Sequence, residues 1–454
     1  MKKLIGLLGV CATTCVSLGG EWAFANDTIT DGNWTLGAQF NASAKTLAIT
    51  GSPRSGSGLL DLDDPVVDGV EIEKVYFWNQ LFEYDKADIT ELRCNRYWQP
   101  GPAPDNMTWA LFQYNQSLTN VSLGGPNAVY LWSDTVRGCS NLVSLVLDFP
   151  NQTNIHAAAI AETPKLASVT IRSSKRMTLP TRLFEKRAAL TSVTLDLPQN
   201  TEIPDALFSG CKALSDLNLN LGKGEEGLTR IGSFAFNSCR KLVGEISTFC
   251  PPSVEVVATR AFEGCSGLTG SLVLTNLQHL GDAAFAWTKI QDVELRGPIT
   301  QTEWKNSSYP DGVRFSGVTT LTNAVFDLPN VTSLYSGDFN NCWALRSVYF
   351  WRKPFSAESL RYLLNGKGLS QKTCTLYVSS QQWPWGERAA SGCRALTADE
   401  KADARRPERC LGMCDVGDPK VPEGDGKWTQ QRLAWFARWP SPYDVPLGGI
   451  FVVR

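Results

Sequence analysis

The sequence is poor in histidine and lacks several of the short motifs by which enzymes are recognised. Only two histidines, His156 and His279, occur among 454 residues, and no GxSxG, HExxH or P-loop pattern is present. We therefore predict a protein that is not an enzyme and that binds no cofactor. A pair of carboxylates acting on a glycosidic bond needs no local motif, so a carbohydrate-active enzyme stays open as a remote alternative.

The sequence also lacks an excess of charge of one sign. It carries 43 basic and 45 acidic residues, for a formal net charge of −2. A chain with this balance has no overall field that would attract a polyanion. We therefore expect no nucleic-acid partner.

Long hydrophobic runs are confined to the N-terminus. Lys2 and Lys3 precede an apolar stretch over residues 4–18, and the sequence AFA at 23–25 matches the small-x-small pattern of a cleavage site. We predict a signal peptide over residues 1–25, cleaved after Ala25. No later stretch reaches the ~18 apolar residues that a membrane helix needs. The mature chain is therefore expected to be secreted or held at the cell surface, without a transmembrane span.

A regular pattern of bulky residues runs through the middle of the chain. Each unit has an apolar anchor, an aliphatic residue five positions before it, and further aliphatics from about six to eleven positions after it. The unit at Phe315 is degenerate, because Pro310 takes the place of the preceding aliphatic. A recurrence of this length is typical of solenoid proteins. The anchors, 23 to 30 residues apart, are Phe112, Val136, Ile160, Phe184, Phe208, Phe236, Phe262, Phe285, Phe315 and Phe339.

The spacing within a unit indicates the role of each position. The alternating segment after the anchor predicts a short strand with its apolar side chains on one face. The segment before the anchor predicts a second extended piece, and the anchor itself lies in a tight turn. One unit buries too little apolar surface to offset the ordering of its backbone, so neighbouring units must share a core. We therefore predict a β-rich repeat solenoid of about ten units over residues 71–351.

Cysteine occupies one fixed place in several units, three residues after the anchor. Small buried free thiols are common in protein cores, so we predict a structural ladder of unpaired thiols. Disulfides or a metal are the alternatives. Neighbouring turns lie ~4.7–4.9 Å apart in line, however, and this arrangement does not suit a tetrahedral metal centre. The five cysteines are Cys139, Cys211, Cys239, Cys265 and Cys342.

Several units resemble a known family. FNSCRKLVGEI at 236–246, FEGCSGLTGSLVL at 262–274 and LQHLGDAAF at 277–285 closely resemble leucine-rich repeats of the BspA type, found in bacterial and protist surface proteins. The resemblance covers residues 75–351, and TLYVSSQQWPWGERA at 375–389 is similar to the segment that often ends such arrays. It implies an exported, non-enzymatic repeat protein, often concerned with adhesion or with contact to a host or matrix.

The regions on either side of the repeats differ from them in composition. Residues 26–70 are rich in Gly, Ser, Thr and Asp and predict an N-terminal β cap. Residues 352–397 predict a C-terminal cap with one helix, and 398–454 a linker and a terminal β hairpin, which together form a small α+β region. An exported chain favours a disulfide in this region, although the sequence does not determine its pairing. The set comprises Cys374, Cys393, Cys410 and Cys414.

The outward positions of the predicted strands form rows along the solenoid. Most are small polar or charged residues, and they would make a long, mildly polar surface, which we call the strand ribbon. Such a surface suits recognition of an extended partner. Its candidate binding residues are Arg172, Asp196, Asn218, Glu294, Arg296, Tyr349 and Trp351.

A second candidate surface is aromatic. Trp383 and Trp385 stand close together in WPWGE, and such rings stack on sugars or anchor a protein partner. Core and capping roles are the alternative. Two acidic stretches, at 61–68 and 415–425, are rich in oxygen ligands but lack EF-hand spacing. We interpret them as solvated turns and predict no metal site.

Together these features favour an exported recognition or adhesion protein. We expect a monomer that binds an extracellular protein or glycan along the strand ribbon. The alternative is a structural envelope or matrix protein with no specific ligand.

Overall fold

A computed structural model of the chain describes its strands, turns and core. The residues it describes are 21–25, 28–31, 35–55, 57–63, 65–77, 88–94, 98–100, 112–125, 130–131, 134–223, 227–300, 314–331, 336–350, 375–379, 393–395, 410–416 and 431–436. No helix among them is long and apolar enough to cross a membrane.

The described elements are almost all short strands. Those before the repeats are β1 (Glu21–Ala25), β2 (Thr28–Thr30), β3 (Thr35–Asn41), β4 (Thr46–Ser55), β5 (Ser57–Asp61), β6 (Val66–Val67), β7 (Val70–Glu71), β8 (Lys74–Phe77), β9 (Asp88–Cys94) and β10 (Trp98–Pro100). Those of the repeats are β11 (Asn120–Gly124), β12 (Tyr130–Leu131), β13 (Ser144–Asp148), β14 (Asn154–Ile155), β15 (Ser168–Arg172), β16 (Ser192–Leu197), β17 (Glu202–Ile203), β18 (Asp216–Leu221), β19 (Arg230–Ile231), β20 (Val243–Glu245), β21 (Val256–Val257), β22 (Gly267–Thr269), β23 (Ser271–Leu274), β24 (His279–Leu280), β25 (Asp292–Arg296), β26 (Asn323–Asp327) and β27 (Ser347–Phe350). The C-terminal strands are β28 (Thr375–Ser379), β29 (Cys393–Ala395), β30 (Cys410–Val416) and β31 (Gln431–Phe436). The described helices are α1 (Ile246–Phe249) and two 3-10 turns, Ala157–Ile160 and Ser336–Phe339.

The repeats wind into a β-solenoid with a long parallel sheet on one face. The strands β5, β9, β11, β13, β15, β16 and β18 pair in that order, all in parallel. Register partners such as Ser192 and Asp216 are 24 residues apart in sequence, which is the period predicted from the anchors. Val169 and Ile171 of β15 point into the core, while Thr170 between them is half-exposed. The alternation predicted from the sequence is therefore present here.

The long parallel sheet ends at β18. Here β20 is followed directly by α1, and β20 pairs with β22. A second sheet then runs in parallel through β23, β25, β26, β27, β28 and β31. The strands β30 and β29 extend it in antiparallel fashion. The long face of the solenoid thus consists of two sheets.

Two further hydrogen-bonded ladders join neighbouring turns. The short strands before the anchors pair in parallel, as β17, β19, β21 and β24 do. In the anchor turns, the residue two positions after the anchor donates its N–H to the next turn; the bond from Lys186 to the Ser209 carbonyl is 2.7 Å long. This turn position has a positive φ in every unit, and only four of the units place glycine there. Its residues are Tyr114, Gly138, Glu162, Lys186, Gly210, Ser238, Gly264, Trp287, Gly317 and Asn341.

The anchors stack through the centre of the solenoid. All those predicted from Phe112 to Phe339 are buried. From Phe184 to Phe339, consecutive rings stack with centroids 5.0 to 6.0 Å apart and interplanar angles of 4° to 19°. Phe315 is fully buried and stacks on both neighbours, so its unit forms a turn of the core despite Pro310. The predicted repeat solenoid is confirmed.

The strands before the repeats form a mixed sheet in the order β10-β8-β4-β3-β2-β1-β6-β7. The strand β5 lies within the predicted cap but belongs to the parallel sheet of the solenoid. The strand β1 lies on the N-terminal side of the predicted cleavage point and pairs with β2 and β6. At the other end, the helix predicted for the C-terminal cap lies outside the described residues.

Candidate functional site

The strand ribbon forms a partly exposed surface over β11 to β18. In five strands of the long parallel sheet, β11, β13, β15, β16 and β18, core-facing aliphatic residues alternate with residues that reach the surface. The outward side chains at the middle of each strand are register partners, so they stand side by side across the sheet. They are Ser122, Val146, Thr170 and Thr194, all half-exposed, and the exposed Asn218.

A charged row runs beside them, where the strands end. Arg172 Nη1 lies 3.3 Å from Asp148 Oδ2, and both side chains are close to half-exposed. On the next two strands, Asn220 Nδ2 donates a hydrogen bond of 2.6 Å to Asp196 Oδ1. An ion pair this exposed contributes little to stability. The structure therefore brings the predicted Arg172, Asp196 and Asn218 together on one accessible sheet.

Glu294 and Arg296 do not belong to this accessible surface. The alternation along β25 places both on the outward face, yet the Glu294 side chain is 0% exposed and that of Arg296 is 15% exposed. Their register partners on β26, Val325 and Asp327, are buried too. The expectation that Glu294 faces solvent is therefore wrong. Alternation determines which face a residue occupies, but not whether another segment covers that face.

The covered part of the ribbon carries an internal ion pair between Glu294 and Arg296. Burial raises the pKa of Glu294 above its ordinary value, and the Arg296 guanidinium opposes part of this rise. Removing one partner of a buried pair leaves an uncompensated charge, which is strongly destabilising. These two residues are thus better explained as structural residues than as contacts for a partner.

The aromatic candidates are described only in part. Tyr349 lies in β27, opposite Val325 on one side and Tyr377 on the other, and its side chain lies outside the described atoms. Trp351, Trp383 and Trp385 lie outside the described residues.

The repeat cysteines lie in the core as free thiols. Each is buried, and each Sγ donates a hydrogen bond to the carbonyl of the preceding anchor. The spacing of the cysteines did not predict this contact, in which a small, largely apolar side chain supplies one donor. The bonds join Cys139 to Phe112 (2.9 Å), Cys211 to Phe184 (2.9 Å), Cys239 to Phe208 (3.2 Å), Cys265 to Phe236 (3.0 Å) and Cys342 to Phe315 (3.1 Å).

Arg187 occupies the cysteine position in the Phe184 unit and makes an equivalent contact. Its Nη2 donates to the carbonyl of Ile160, the preceding anchor, at 2.6 Å. Burial lowers the pKa of Arg187 from its ordinary value. In these units the position supplies a donor to the neighbouring turn, a thiol in five of them and a guanidinium here. Thr163 and Thr288 instead donate to the anchor carbonyl of their own turn.

The buried thiols should be unreactive in the folded protein. Burial raises the pKa of Cys211 to about 11 and that of Cys265 to about 12, so both remain protonated at pH 8, and the thiolate is the reactive form. We expect iodoacetamide to leave Cys211, Cys239 and Cys265 unmodified in the native chain and to modify them in denaturant. Peptide mass spectrometry measures this directly. Native modification at the rate of a free peptide thiol would contradict the buried ladder.

The C-terminal cysteines are described through their backbone alone. The register of β29 and β30 places Cys393 opposite Cys414, and Cys410 lies opposite Phe436 of β31. Cys374 lies outside the described residues. Within the described part of the chain, no three or more His, Cys, Asp or Glu side chains are grouped so as to hold a metal ion.

Several solved structures that resemble this chain are leucine-rich repeat proteins. One, from T. pallidum, is 16% identical, with 46% of this chain and 87% of that one covered and a TM-score of 0.30. Another, from Bacteroides ovatus, is 17% identical, with 76% and 98% covered and a TM-score of 0.27. A leucine-rich cell surface protein from Faecalibacterium prausnitzii is 18% identical, with 79% and 97% covered and a TM-score of 0.25.

A family model gives the decisive match. The model of the BspA type leucine rich repeat region, with 6 copies, matches residues 106–191, 177–311 and 229–360. These overlapping ranges include more than half of the chain and contain every anchor turn described above. A comparison with curated proteins finds no match. By the family model, this chain belongs to the BspA-type leucine-rich repeat family.

Proposed function

We propose that this chain is an exported, non-enzymatic recognition protein that binds an extracellular protein or glycan along the β11–β18 part of the strand ribbon. The observation that carries the proposal is the accessible polar array on these strands, in which Arg172 stands beside Asp196 and Asn218 lies in the adjacent row, beside Thr194. Parallel strands lie ~4.8 Å apart, so the array offers polar groups at a regular spacing. A partner with its own repeating polar groups is the best fit.

Export rests on the predicted signal peptide over residues 1–25 and on the repeat family, whose resemblance implies surface or secreted proteins. Cleavage after Ala25 would remove β1, which pairs with β2 and β6. The mature N-terminal sheet would then form without this strand.

The ribbon is tested by a triple variant, Arg172→Ala, Asp196→Ala and Asn218→Ala. We expect the mature chain to bind at least one ligand on an array of glycans and extracellular-matrix proteins, and the variant to bind it at least about tenfold more weakly. Exposed pairs such as Arg172–Asp148 contribute at most about 1 kcal/mol to stability, so the thermal unfolding midpoint should change little.

The matched control places the same number of alanines in the anchor turns, at Arg182, Glu185 and Lys212. It should bind as the parent chain does. Equal binding by the ribbon variant and the control would contradict the ribbon site. A folded parent chain that binds nothing on the array would contradict recognition altogether and favour a structural envelope or matrix protein.

A further inference from the structure

A cavity of about 380 Å³ opens beside the ladder of short strands, away from the strand ribbon. This volume falls within the range of about 300–1,000 Å³ typical of small-molecule sites. Residues from three consecutive turns line it, and most of them are polar. They include Asn154, Arg176, Thr178, Thr201, Glu202 and Pro204.

The cavity lies where the ladder of short strands is interrupted. In three other turns, the residue after the short strand donates its N–H to the preceding turn, over distances of 2.8 to 2.9 Å; these donors are Gly232, Ala258 and Gly281. Pro180 and Pro204 occupy this position in the turns anchored at Phe184 and Phe208. Proline has no N–H, so Pro204 donates nothing to the Leu179 carbonyl. Thr178 accordingly bridges to Asn154 of the turn before, while Glu202 pairs with Arg230 of the turn after. The two turns on either side of the cavity are left apart.

A buried amide holds these two turns at a fixed separation. Asn200 is 4% exposed. Its Oδ1 accepts the N–H of Met177, and its Nδ2 donates to the Met177 carbonyl, each at 2.8 Å. These two bonds connect the turns anchored at Phe184 and Phe208 where the backbone bond between their short strands is missing. The opening is therefore a built feature of the fold rather than loose packing.

The lining offers a cation together with small hydrogen-bonding groups. Arg176 is exposed, and its Nη2 donates to Thr201 Oγ1 at 3.2 Å. Among the described residues it forms no ion pair with a carboxylate. Thr178 and Asn154 are exposed at the same opening. A guanidinium with free donors is well suited to hold a carboxylate through two hydrogen bonds.

We propose that this cavity binds a carboxylate-bearing sugar, such as a uronic acid unit of a glycan, with Arg176 holding the carboxylate. The threonine hydroxyls and the Asn154 amide match sugar hydroxyls, while Met177, Leu179 and Pro204 give the ring an apolar surface. Glu202 at the rim accepts from hydroxyls but repels a second carboxylate, which favours a sugar over an acidic peptide. The site is separate from the strand ribbon and does not depend on it.

The test uses acidic di- and trisaccharides built from galacturonic, glucuronic and sialic acids, each beside its methyl ester. The ester keeps the sugar and removes the charge. Calorimetric titration of the mature chain should show saturable binding of at least one acidic sugar. The parent chain should bind the methyl ester at least tenfold more weakly, and Arg176→Ala should bind the acid at least tenfold more weakly. The matched control, Arg182→Ala, removes the same charge from an exposed anchor-turn residue outside both sites and should leave this binding unchanged. Arg172→Ala is measured alongside it to report on the ribbon.

Several results would overturn the proposal. It fails if the parent chain binds none of the acidic sugars, if it binds acid and ester equally, or if Arg176→Ala binds the acid as the parent chain does. Binding lost in Arg172→Ala but kept in Arg176→Ala would reject the cavity while supporting the ribbon, so the two sites are tested separately. A glutamate tripeptide that binds as tightly as the sugars, and through Arg176, would reject the sugar as the ligand.

Discussion

Replacing Asp338 with alanine should lower the free energy of unfolding by about 3–5 kcal/mol, because it breaks a buried ion pair with Arg314. The side chains of Arg314 and Asp338 are 1% and 0% exposed, and Arg314 Nη1 lies 2.9 Å from Asp338 Oδ1. Arg314 Nε also donates to the Leu280 carbonyl at 3.3 Å, but a neutral acceptor does not balance a buried charge. Urea unfolding followed by circular dichroism would measure the loss.

A double variant separates the charge from the packing. Arg314→Met with Asp338→Leu removes both charges and keeps apolar volume, and such replacements are often neutral or stabilising. We expect it to recover most of the stability lost in Asp338→Ala. If the double variant were as unstable as the single one, the uncompensated charge would not be the cause.

Truncating Phe236 to alanine should also cost about 3–5 kcal/mol, the usual range for a buried phenylalanine. Its ring lies 5.5 Å from that of Phe208 and 5.0 Å from that of Phe262, so the cavity would interrupt the stack on both sides. Phe234, in the same turn, is 38% exposed and provides a matched control. Its truncation should cost less than about 1 kcal/mol, as surface substitutions do.

Hydrogen exchange would show where the stability is lost. Each solenoid turn contacts only its neighbours, so Phe236→Ala should speed exchange mainly in the turns anchored at Phe208, Phe236 and Phe262. Equal destabilisation by Phe234→Ala and Phe236→Ala would show that the ring stack is not the main source of stability.

The repeat could be predicted from the sequence because the core positions recur. Each unit has about five apolar positions at a fixed spacing, and few folds can bury all of them. The 24-residue register of Ser144, Ser168 and Ser192 follows from that spacing. The unit at Phe315 shows that the core tolerates a break in the pattern. Pro310 breaks the pattern before the anchor, yet the anchor keeps its place in the stack.

The site was less predictable, because it depends on contacts between distant segments. Period-two alternation correctly placed Arg172 and Asp196 at the surface, but the same rule misplaced Glu294, which is covered. The cavity did leave a signal in the sequence: Pro180 and Pro204 stand where the following units have Gly232, Ala258 and Gly281. A pattern of apolar side chains does not reveal the cavity, because what proline removes is a backbone N–H.

Pro204 also has a mechanical consequence. A pulling force along the solenoid axis is resisted by the hydrogen bonds between successive turns, shared among the long sheet, the anchor turns and the short strands. Between the turns anchored at Phe184 and Phe208, the long sheet and the anchor turns still carry such bonds, for example from Phe184 to the Leu207 carbonyl, while the short strands do not. Under such a force this junction therefore has one ladder of hydrogen bonds fewer to resist separation, on the side where the cavity already opens.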